Sequence, residues 1–316
     1  MSYYLTGDCH GQFRKLHVFC EKHKTTKADT MILLGDVGVN FSMDERDERR
    51  KGFLASLPIT CLCIHGNHEE RPYNMPSYQL KEWHSGLVYY EPEYPNLLFA
   101  KDGEIYDLDG KKAIAIGGAY SVDKELRLLV HIPWFPEEQP SDEIKTYVEQ
   151  NLKKHDWKVD YVFSHTCPSV YVPGKKENVF GKVDQSTEEW LEQIRKKMAY
   201  ERWYFGHFHQ NITYTDAQLL FEAVVELGKT EWLQKLGEPL YKTGEQVMFS
   251  IGTPGNEEDG YGKIIRVDRF GSKEEICSEV TYDIMGRLCS DMDTEVLFDS
   301  IPESMLERMD ASEISK

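Results

Sequence analysis

The sequence predicts an α/β protein in which two β-sheets pack together with helices outside. Five short apolar runs end abruptly in Gly, Asp, Asn or His, helical patterns separate the early runs, and β-like runs return after residue 211. Apolar runs of about four to six residues between turn formers are typical of strands buried on both faces. Their alternation with helices favours βαβ units and a mainly parallel sheet.

The first 70 residues alternate strand-like and helical stretches. A strand-like run leads into GDCHG, and helical patterns cover residues 11–23 and 44–56. The next strand-like runs are DTMILLGDVG at 29–38 and ITCLCIHGNHE at 59–69. Each repeat is about 30 residues long, which is the length of a βαβ unit.

The middle of the chain carries different signals. Residues 96–120 contain three β-like runs split by Asp-Gly turns, which predicts an antiparallel meander. Ser141 predicts the start of a helix that reaches about Lys154. Ser186 and Glu189 form a capping box, which predicts the start of a second helix.

Strand-like runs continue through the second half of the chain. VDYVFSHTCP at 159–168 and RWYFGHFHQN at 202–211 contain the later histidines, and NITYTD, LLFEAVVEL, QVMFSIG, KIIRVDRF and EICSEVTYDI predict further strands. We therefore expect one domain over residues 1–285. Residues 286–316 are acidic and weakly patterned, and we expect them to form a flexible C-terminal tail.

The composition is that of a globular protein with an acidic surface. The formal net charge is −17 and the pI is near 5.1, so we expect no long-range attraction for duplex nucleic acid. No apolar run approaches the roughly 20 residues that span a bilayer. The seven cysteines are scattered without a C-x-x-C pair, which predicts reduced thiols. With no signal peptide before the first strand, these features predict a cytoplasmic protein without a membrane partner.

Polar side chains at the ends of five strand-like runs are the most informative residues. In an open α/β sheet, ligand sites form outside the carboxyl ends of the strands. We therefore expect one cluster at that edge, formed by Asp8, His10, Asp36, Asn67, His68, His165, His207 and His209.

These residue types suit divalent first-row metal ions. Seven candidate ligands, the set without His68, exceed what one tetrahedral ion takes and suit two ions that share a carboxylate. Taken singly, each motif has a plainer interpretation. A D-x-H or G-D at a strand end is often an ordinary turn, and the H-x-H of GHFH fits an exposed alternation. The joint occurrence of all five favours the metal cluster.

The five blocks GDCHG, GDVG, GNHE, SHTCP and GHFH resemble the calcineurin-like metallophosphoesterase superfamily. The resemblance implies a four-layer αββα sandwich of two mixed β-sheets flanked by helices, with a dinuclear metal site. It implies two divalent ions per chain, with Mn²⁺ as the first choice and Fe, Zn or Ni as alternatives. One ion would be held by Asp8, His10 and His209 and the other by Asn67, His165 and His207, with Asp36 bridging.

The resemblance also implies a mechanism in which a metal-bridging hydroxide attacks the phosphorus of a phosphate ester. Asn67 can offer its carbonyl oxygen to a metal and its amide hydrogens to a phosphate oxygen. His68 would act as a general acid for the leaving oxygen or as a hydrogen-bond donor to transition-state charge.

The second block departs from the protein phosphatases that GDCHGQF resembles. Those enzymes have GD-x-x-DRG, whereas this chain has GDVGVNF, with Val39 and Asn40 at the positions of Asp and Arg. The Asp orients the catalytic histidine and the Arg clamps phosphate. The resemblance therefore does not extend to a conventional Ser/Thr protein phosphatase. Glu69 and Glu70 are candidates to orient His68, or else solvated charges at a helix start.

Substrate contacts are expected from GGAYSVDKELR at residues 117–127. Tyr120 and Arg127 are the candidate residues, and an arginine can bind phosphate bidentately. The alternative is a helix start with solvated charges. Trp134 and Phe135 either wall a pocket or anchor a long loop.

The sequence thus predicts a hydrolase of phosphate esters, with a phosphomonoesterase as the first choice. A phosphodiesterase or nuclease at the same site is the alternative within this class, and a non-catalytic protein-binding scaffold is the alternative outside it. The expected partner is a phosphorylated substrate of unknown identity; the oligomeric state is open.

Overall fold

The computed structural model describes residues 1–174, 183–234, 239–253, 256–268 and 280–309. The chain divides into two compact units, Met1–Gln234 and Lys235–Lys316. Among the described residues, no helix is both long and apolar enough to cross a membrane.

The first unit alternates short strands with helices up to β3 and again around β9. In chain order its elements are β1 (Tyr3–Thr6), α1 (Arg14–His23), β2 (Thr30–Leu33), α2 (Glu45–Ser56), β3 (Thr60–Cys63), β4 (Gln79–Trp83), β5 (Gly86–Tyr90), β6 (Leu97–Ala100), β7 (Ile105–Leu108), β8 (Lys111–Ile116), α3 (Lys124–Leu129), α4 (Asp142–Lys154), β9 (Tyr161–Ser164), α5 (Ser186–Lys197), β10 (Arg202–Phe205), β11 (Ile212–Thr213), β12 (Ala217–Leu219), β13 (Val224–Glu226) and β14 (Trp232–Gln234).

These strands form two mixed sheets. The first has the order β14-β13-β1-β2-β3-β6-β5-β4, and the second has the order β11-β12-β10-β9-β8-β7. Strands β1, β2, β3 and β6 are parallel, with Leu5 opposite Ile32 and Ile32 opposite Leu62. Strands β8, β9, β10 and β12 are parallel in the second sheet. The carboxyl ends of the central strands therefore share an edge within each sheet.

Three clusters of buried side chains among the described residues of the first unit define four layers. Side chains such as Ile32 and Phe163 fill the space between the two sheets. The other face of the first sheet packs on α1 and α2, and that of the second sheet on α4 and α5. Every residue of β2, β3 from Cys61 on, and β9 is buried because both faces of these strands are covered. This confirms the predicted αββα sandwich.

Two local predictions are wrong. Residues 96–120 are not one meander, because β6 pairs in parallel with β3 in the first sheet while β7 and β8 form a hairpin in the second. All four residues of β6 are buried, which an edge strand of a meander would not require. Ser186 is the first residue of α5 and forms no capping box, since Gln185 occupies the N-cap without a side-chain hydrogen bond.

Other helix predictions are confirmed. The side chain of Ser141 caps α4 by accepting a hydrogen bond from the amide of Ile144, and α4 ends at Lys154. Asp44 caps α2 in the same way through the amide of Arg46. The β4–β5 hairpin is an addition that the sequence did not predict.

The second unit contains a five-stranded antiparallel sheet. Its strands are β15 (Gln246–Thr253), β16 (Asn256–Asp268), β17 (Thr281–Leu288), β18 (Asp291–Pro302) and β19 (Leu306–Arg308), in the order β18-β17-β16-β15-β19. One buried cluster that includes Phe249 and Tyr282 holds it together.

The expected boundary at residue 285 falls inside β17, and the expected tail contributes β18, which pairs antiparallel with β17. The acidic residues of β18 alternate with Met292, Val296 and Leu297 along a mostly exposed strand, a pattern too weak to predict from sequence. Residues 310–316 of that tail, and residues 275–279 at the start of EICSEVTYDI, lie outside the described residues.

Candidate active site

The predicted polar residues follow the carboxyl ends of five parallel strands. Asp8 and His10 follow β1, Asp36 follows β2, and Asn67 and His68 follow β3. In the second sheet, the residues that follow β9 and β10 are His165, His207 and His209. The structure brings all eight together at one edge of the sandwich, where contacts join each of them to at least one other.

One part of the site is formed by residues after β1 and β10. The Nε2 atoms of His10 and His209 are 3.0 Å apart. The Oδ2 atom of Asp8 lies 3.1 Å from Nε2 of His209 and 3.8 Å from Nε2 of His10. These three side chains form one group whose ligand atoms all lie within 4.8 Å of one another.

The other part centres on Asp36 and His165. Asp36 spans the two parts, with Oδ2 at 3.9 Å from Nε2 of His10 and Oδ1 at 3.5 Å from Nε2 of His165. The same Nε2 of His165 lies 2.8 Å from Oδ1 of Asn67. The ring of His207 lies 5.0 Å from that of His165, centroid to centroid. Asp8, Asp36 and His165 form a second group that could hold a metal ion.

The backbone at these residues is held in an uncommon conformation. His10, Asp36, His207 and His209 all have positive φ, between 46° and 70°. Residues other than glycine adopt a positive φ at a cost of roughly 1–3 kcal/mol each, and the surrounding structure must offset that cost. Concentration of that strain in four of the eight residues is typical of a functional site.

Hydrogen bonds and glycines hold this backbone in place. The amide of His207 donates to Oδ1 of Asp8 at 2.9 Å, and the amide of His68 donates to Oδ1 of Asp36 at 2.9 Å. A Cβ on Gly66 would lie 2.1 Å from Oδ1 of Asp36, and one on Gly206 would lie 2.4 Å from Oδ1 of Asp8. Gly66 therefore leaves space for a carboxylate that follows the neighbouring strand, and Gly206 for one that follows a strand of the other sheet.

The charges of the site fit a cation. Burial raises the pKa of Asp8, but a hydrogen bond from His209 and the nearby His165 lower it more, so the carboxyl is ionised. Burial lowers the pKa of His10 to about 4 and that of His207 to about 3, which favours neutral imidazoles. Ionised carboxylates beside neutral imidazoles are the protonation states that metal ligands need.

Two histidines show the opposite shift. Burial lowers the pKa of His209, but the adjacent Asp8 raises it more. The same balance applies to His165. Burial lowers its pKa, but the charge of Asp36 and a hydrogen bond to it raise the pKa to about 9. Its Nδ1 lies 2.7 Å from the carbonyl oxygen of Leu34. That contact assigns a proton to Nδ1 and leaves Nε2 as the atom that faces Asp36 and Asn67.

His68 lies at the rim and contacts a segment after β8. Its Nδ1 is 2.9 Å from Nη2 of Arg127 and 3.7 Å from Oδ2 of Asp36. Its Nε2 is 3.8 Å from Oδ1 of Asp123. Burial lowers the pKa of His68, while Asp36 opposes this effect. Arg127 is thus not a solvated helix charge, because its side chain is 12% exposed and contacts the site.

Tyr120, the other candidate substrate contact, lies in the same segment. Burial and the nearby Glu138 and Glu125 raise its pKa. No contact joins Tyr120 to the eight strand-end residues within the part of the chain that the structure describes.

Neither glutamate after His68 contacts its ring. Glu69 is buried and accepts hydrogen bonds from the amides of Gly66 at 2.7 Å and Val37 at 3.3 Å, and burial raises its pKa to about 8. Glu70 accepts from Asn74 at 2.7 Å. Glu69 therefore links two of the strand-end loops rather than orienting the histidine.

The two departures in GDVGVNF lie away from the rim. Val39 is fully buried among the apolar residues under α1 and α2. The side-chain amide of Asn40 donates to the hydroxyl of Tyr78 at 2.9 Å.

One residue of the site, Ser121, was not singled out from the sequence, and Asp123 was considered only as one of the polar residues of the segment 117–127. The amide nitrogen of Asn67 donates to Oγ of Ser121 at 2.8 Å, and Asp123 faces His68. Both lie directly after β8, whose carboxyl end is at the same sheet edge as that of its parallel neighbour β9. Their position after a predicted strand was therefore the one signal in the sequence that could have pointed to them. Because Ser and Asp are common in turns, their residue types added no further signal.

Comparison with known proteins identifies the family. The sequence model of the calcineurin-like phosphoesterases matches residues 1–211, which contain all eight strand-end residues. The chain belongs to the calcineurin-like phosphoesterase family. This phosphoesterase is accordingly a metal-dependent hydrolase that acts on phosphate esters, with residue groups that could hold divalent ions.

Solved structures resemble this phosphoesterase only distantly. TT1561 of Thermus thermophilus is 12% identical with a TM-score of 0.44, and the match covers 73% of this chain and 96% of that one. AQ665 of Aquifex aeolicus, described as a protein of unknown function, is 14% identical with a TM-score of 0.29, covering 56% and 82% of the two chains. None of the curated proteins matches the sequence.

Proposed function

We propose that this phosphoesterase hydrolyses phosphate monoesters at a centre of two divalent cations. The observation that carries the proposal is the position of Asp36, whose two oxygens face His10 on one side and His165 on the other. A carboxylate between two groups of ligands is what a shared pair of ions requires.

The ligand sets follow from the two parts of the site. The first ion would be held by Asp8, His10 and His209, the second by Asn67, His165 and His207, and both by Asp36. When bound, two such cations act as Lewis acids on the phosphate and lower the pKa of bound water. The mixed nitrogen and oxygen donors suit Mn²⁺, with Fe, Zn or Ni as alternatives.

The remaining residues of the rim would handle the substrate. Asn67 uses one amide hydrogen on Ser121, which leaves the second for a phosphate oxygen. His68 would donate a proton or a hydrogen bond to the leaving oxygen. The guanidinium of Arg127, beside His68, can share its Nη2 with a phosphate oxygen, and Tyr120 would lie further along the same segment.

Arg127 is also the reason to prefer a monoester. The terminal phosphate of a monoester carries one more negative charge than a diester, and a fixed guanidinium at the rim offsets that charge. The net charge of −17 argues against a long polyanionic substrate such as duplex nucleic acid. The partner we propose is a phosphorylated molecule in the cytoplasm, with no membrane partner.

Parallel assays test this proposal. The protein is assayed with p-nitrophenyl phosphate and bis-p-nitrophenyl phosphate in Mn²⁺, Fe²⁺, Ni²⁺ and Zn²⁺, with metal content measured by elemental analysis. We expect two ions per chain and faster hydrolysis of the monoester. Faster hydrolysis of the diester would favour the phosphodiesterase, and hydrolysis of neither would favour the protein-binding scaffold.

A further inference from the structure

We propose that Asp123 positions the imidazole of His68. The inference rests on the proposed function, because it gives His68 a role at the leaving oxygen. Asp123 and Arg127 lie four residues apart around α3, so one helix presents both groups to the same imidazole.

Arg127 holds Asp123 and His68 in one arrangement. Its Nε donates to Oδ2 of Asp123 at 2.7 Å, and its Nη2 lies 2.9 Å from Nδ1 of His68. Its Nη1 donates to the carbonyl oxygen of Pro133 at 3.2 Å, which fixes the plane of the guanidinium. The three nitrogens therefore tie α3, the loop after it and the histidine together.

The second oxygen of Asp123 is unsatisfied. Oδ1 is buried and accepts no hydrogen bond among the described residues, although it lies only 3.8 Å from Nε2 of His68. A buried carboxylate oxygen without a partner is costly, and each such group needs an explanation. Closure by less than about 1 Å would give a hydrogen bond of normal length. Contacts of catalytic groups are often long before substrate binds.

The contacts also select the tautomer of His68. An arginine can only donate, so Nδ1 must accept, and neutral His68 carries its proton on Nε2. That proton faces Oδ1 of Asp123. A simpler interpretation is that Asp123 only forms an ordinary i,i+4 ion pair with Arg127. That interpretation accounts for the position of Oδ2 but not for that of Oδ1, which faces His68.

The arrangement accounts for proton transfer to the leaving group. With a phosphate oxygen present, Nη2 of Arg127 moves its hydrogen bond from Nδ1 of His68 to that oxygen. Nδ1, released from that hydrogen bond, takes a proton from solvent water, and the imidazolium so formed transfers it to the leaving oxygen as the phosphorus–oxygen bond breaks and its electron pair goes to that oxygen. Neutral His68 is left with the Nε2 proton directed at Asp123. The carboxylate stabilises the imidazolium before transfer and fixes the ring throughout.

Two other carboxylates close to His68, those of Asp36 and Glu69, are committed elsewhere. Asp36 contacts His68 at Nδ1 but also faces His10 and His165. Glu69 is committed to two backbone amides. The structure thus places the orienting group at the N-cap of α3.

Kinetics of Asp123→Ala provide the first test, with Glu125→Ala as the matched control because Glu125 is an exposed carboxylate of the same helix. Phenyl phosphate, whose leaving group is poor, needs the proton more than p-nitrophenyl phosphate does. We expect Asp123→Ala to lower kcat for phenyl phosphate about 10- to 100-fold and to lower it much less for p-nitrophenyl phosphate. KM and metal content should stay unchanged, Asp123→Glu should restore part of the loss, and Glu125→Ala should match wild type.

The second test uses the metal-free protein and does not depend on activity. Long-range ¹⁵N–¹H spectra of histidine side chains, with His68→Ala to assign the signal, should show the Nε2–H tautomer of His68 in the wild type. Asp123→Ala should show a mixture of tautomers, because it loses both the carboxylate that faces Nε2 and the anchor of the guanidinium that donates to Nδ1. Unchanged tautomers, or equal losses of kcat on both substrates with loss of metal, would overturn the positioning role. An inactive wild type with the expected tautomers would instead contradict the proposed function alone.

Discussion

The strand-end residues and the segment after β8 contribute to the same site in different ways. Asp8, Asn67 and His165 are at most 2% exposed and follow strands whose faces are covered on both sides. The second region, which we call the α3 segment (residues 121–138), contains a helix with no buried residue, and Leu129 is 76% exposed. The metal side of the site is thus part of the core, while the substrate side lies on the surface.

The difference indicates how each region can change. Substitution among the strand-end residues disturbs backbone that is already strained and buried carboxylates that depend on one another. The α3 segment is held mainly by polar contacts, such as Arg127 with His68 and Trp134 with Glu138 at 2.7 Å. A family that keeps the chemistry while changing the substrate can vary such a segment without unfolding the sandwich.

The largest effect is expected at Asp36. Asp36→Asn removes the charge that both proposed ions share, so we expect fewer than two ions per chain and a loss of activity on the order of 10⁴-fold. Elemental analysis and the p-nitrophenyl phosphate assay measure both effects. Asp142→Asn, an exposed aspartate of α4, is the control. Two bound ions in Asp36→Asn would contradict the bridging role.

Substitution of His68 should lower activity without changing metal binding. His68→Ala removes the proposed proton donor, and we expect kcat to fall about 10²- to 10³-fold with metal content unchanged. His17→Ala, on the exposed face of α1, should have no effect. Full activity of His68→Ala would show that the leaving oxygen needs no help from this residue.

A substitution of Arg127 tests the role of the α3 segment in substrate binding. Arg127→Ala removes a charged hydrogen-bond donor worth about 1.5–3 kcal/mol, so kcat/KM for the monoester should fall about 10- to 100-fold. The ratio of monoester to diester hydrolysis should fall with it. Arg49→Ala, on exposed α2, is the control. An unchanged ratio would contradict the role of Arg127 in monoester preference.

The buried side chain of Glu222 should make the free energy of unfolding depend on pH. Burial raises its pKa to about 7, whereas an unfolded glutamate titrates near its ordinary value of about 4.3. Because the folded pKa is raised, the stabilising contribution is fully present below about pH 4.3 and is lost as the pH rises toward 7. The free energy of unfolding of Glu222→Gln should therefore rise relative to that of wild type by about 3–4 kcal/mol between pH 4 and pH 8. Urea unfolding measures this, with exposed Glu21→Gln as the control.

The smallest effect is expected at Leu129. Leu129→Gln should change the free energy of unfolding by less than about 0.5 kcal/mol because the side chain is 76% exposed. Leu33→Ala, in buried β2, should cost about 2–5 kcal/mol. Similar losses for the two variants in urea unfolding would mean that the α3 segment is part of the cooperative core after all.

Much of this molecule is encoded locally. The apolar runs before Asp8, Asp36, Asn67, His165 and His207 become buried strands, because a strand of consecutive apolar residues needs cover on both of its faces. Their carboxyl ends share an edge because the strands are parallel. Local pattern along the chain is therefore enough to predict the fold class and which polar residues would meet.

Other features depend on contacts between distant parts of the chain. The sheet that β6 joins, the strands formed by residues 291–308 and the neighbours of His68 leave no local pattern, because each is decided by what packs against it. Asp123 and Arg127 read as an ordinary helix start until the fold brings them 3.8 Å and 2.9 Å from an imidazole 55 or more residues earlier in the chain. Tertiary packing alone could bring these groups together, since hydrogen bonds and charge act through distance in space and not along the sequence.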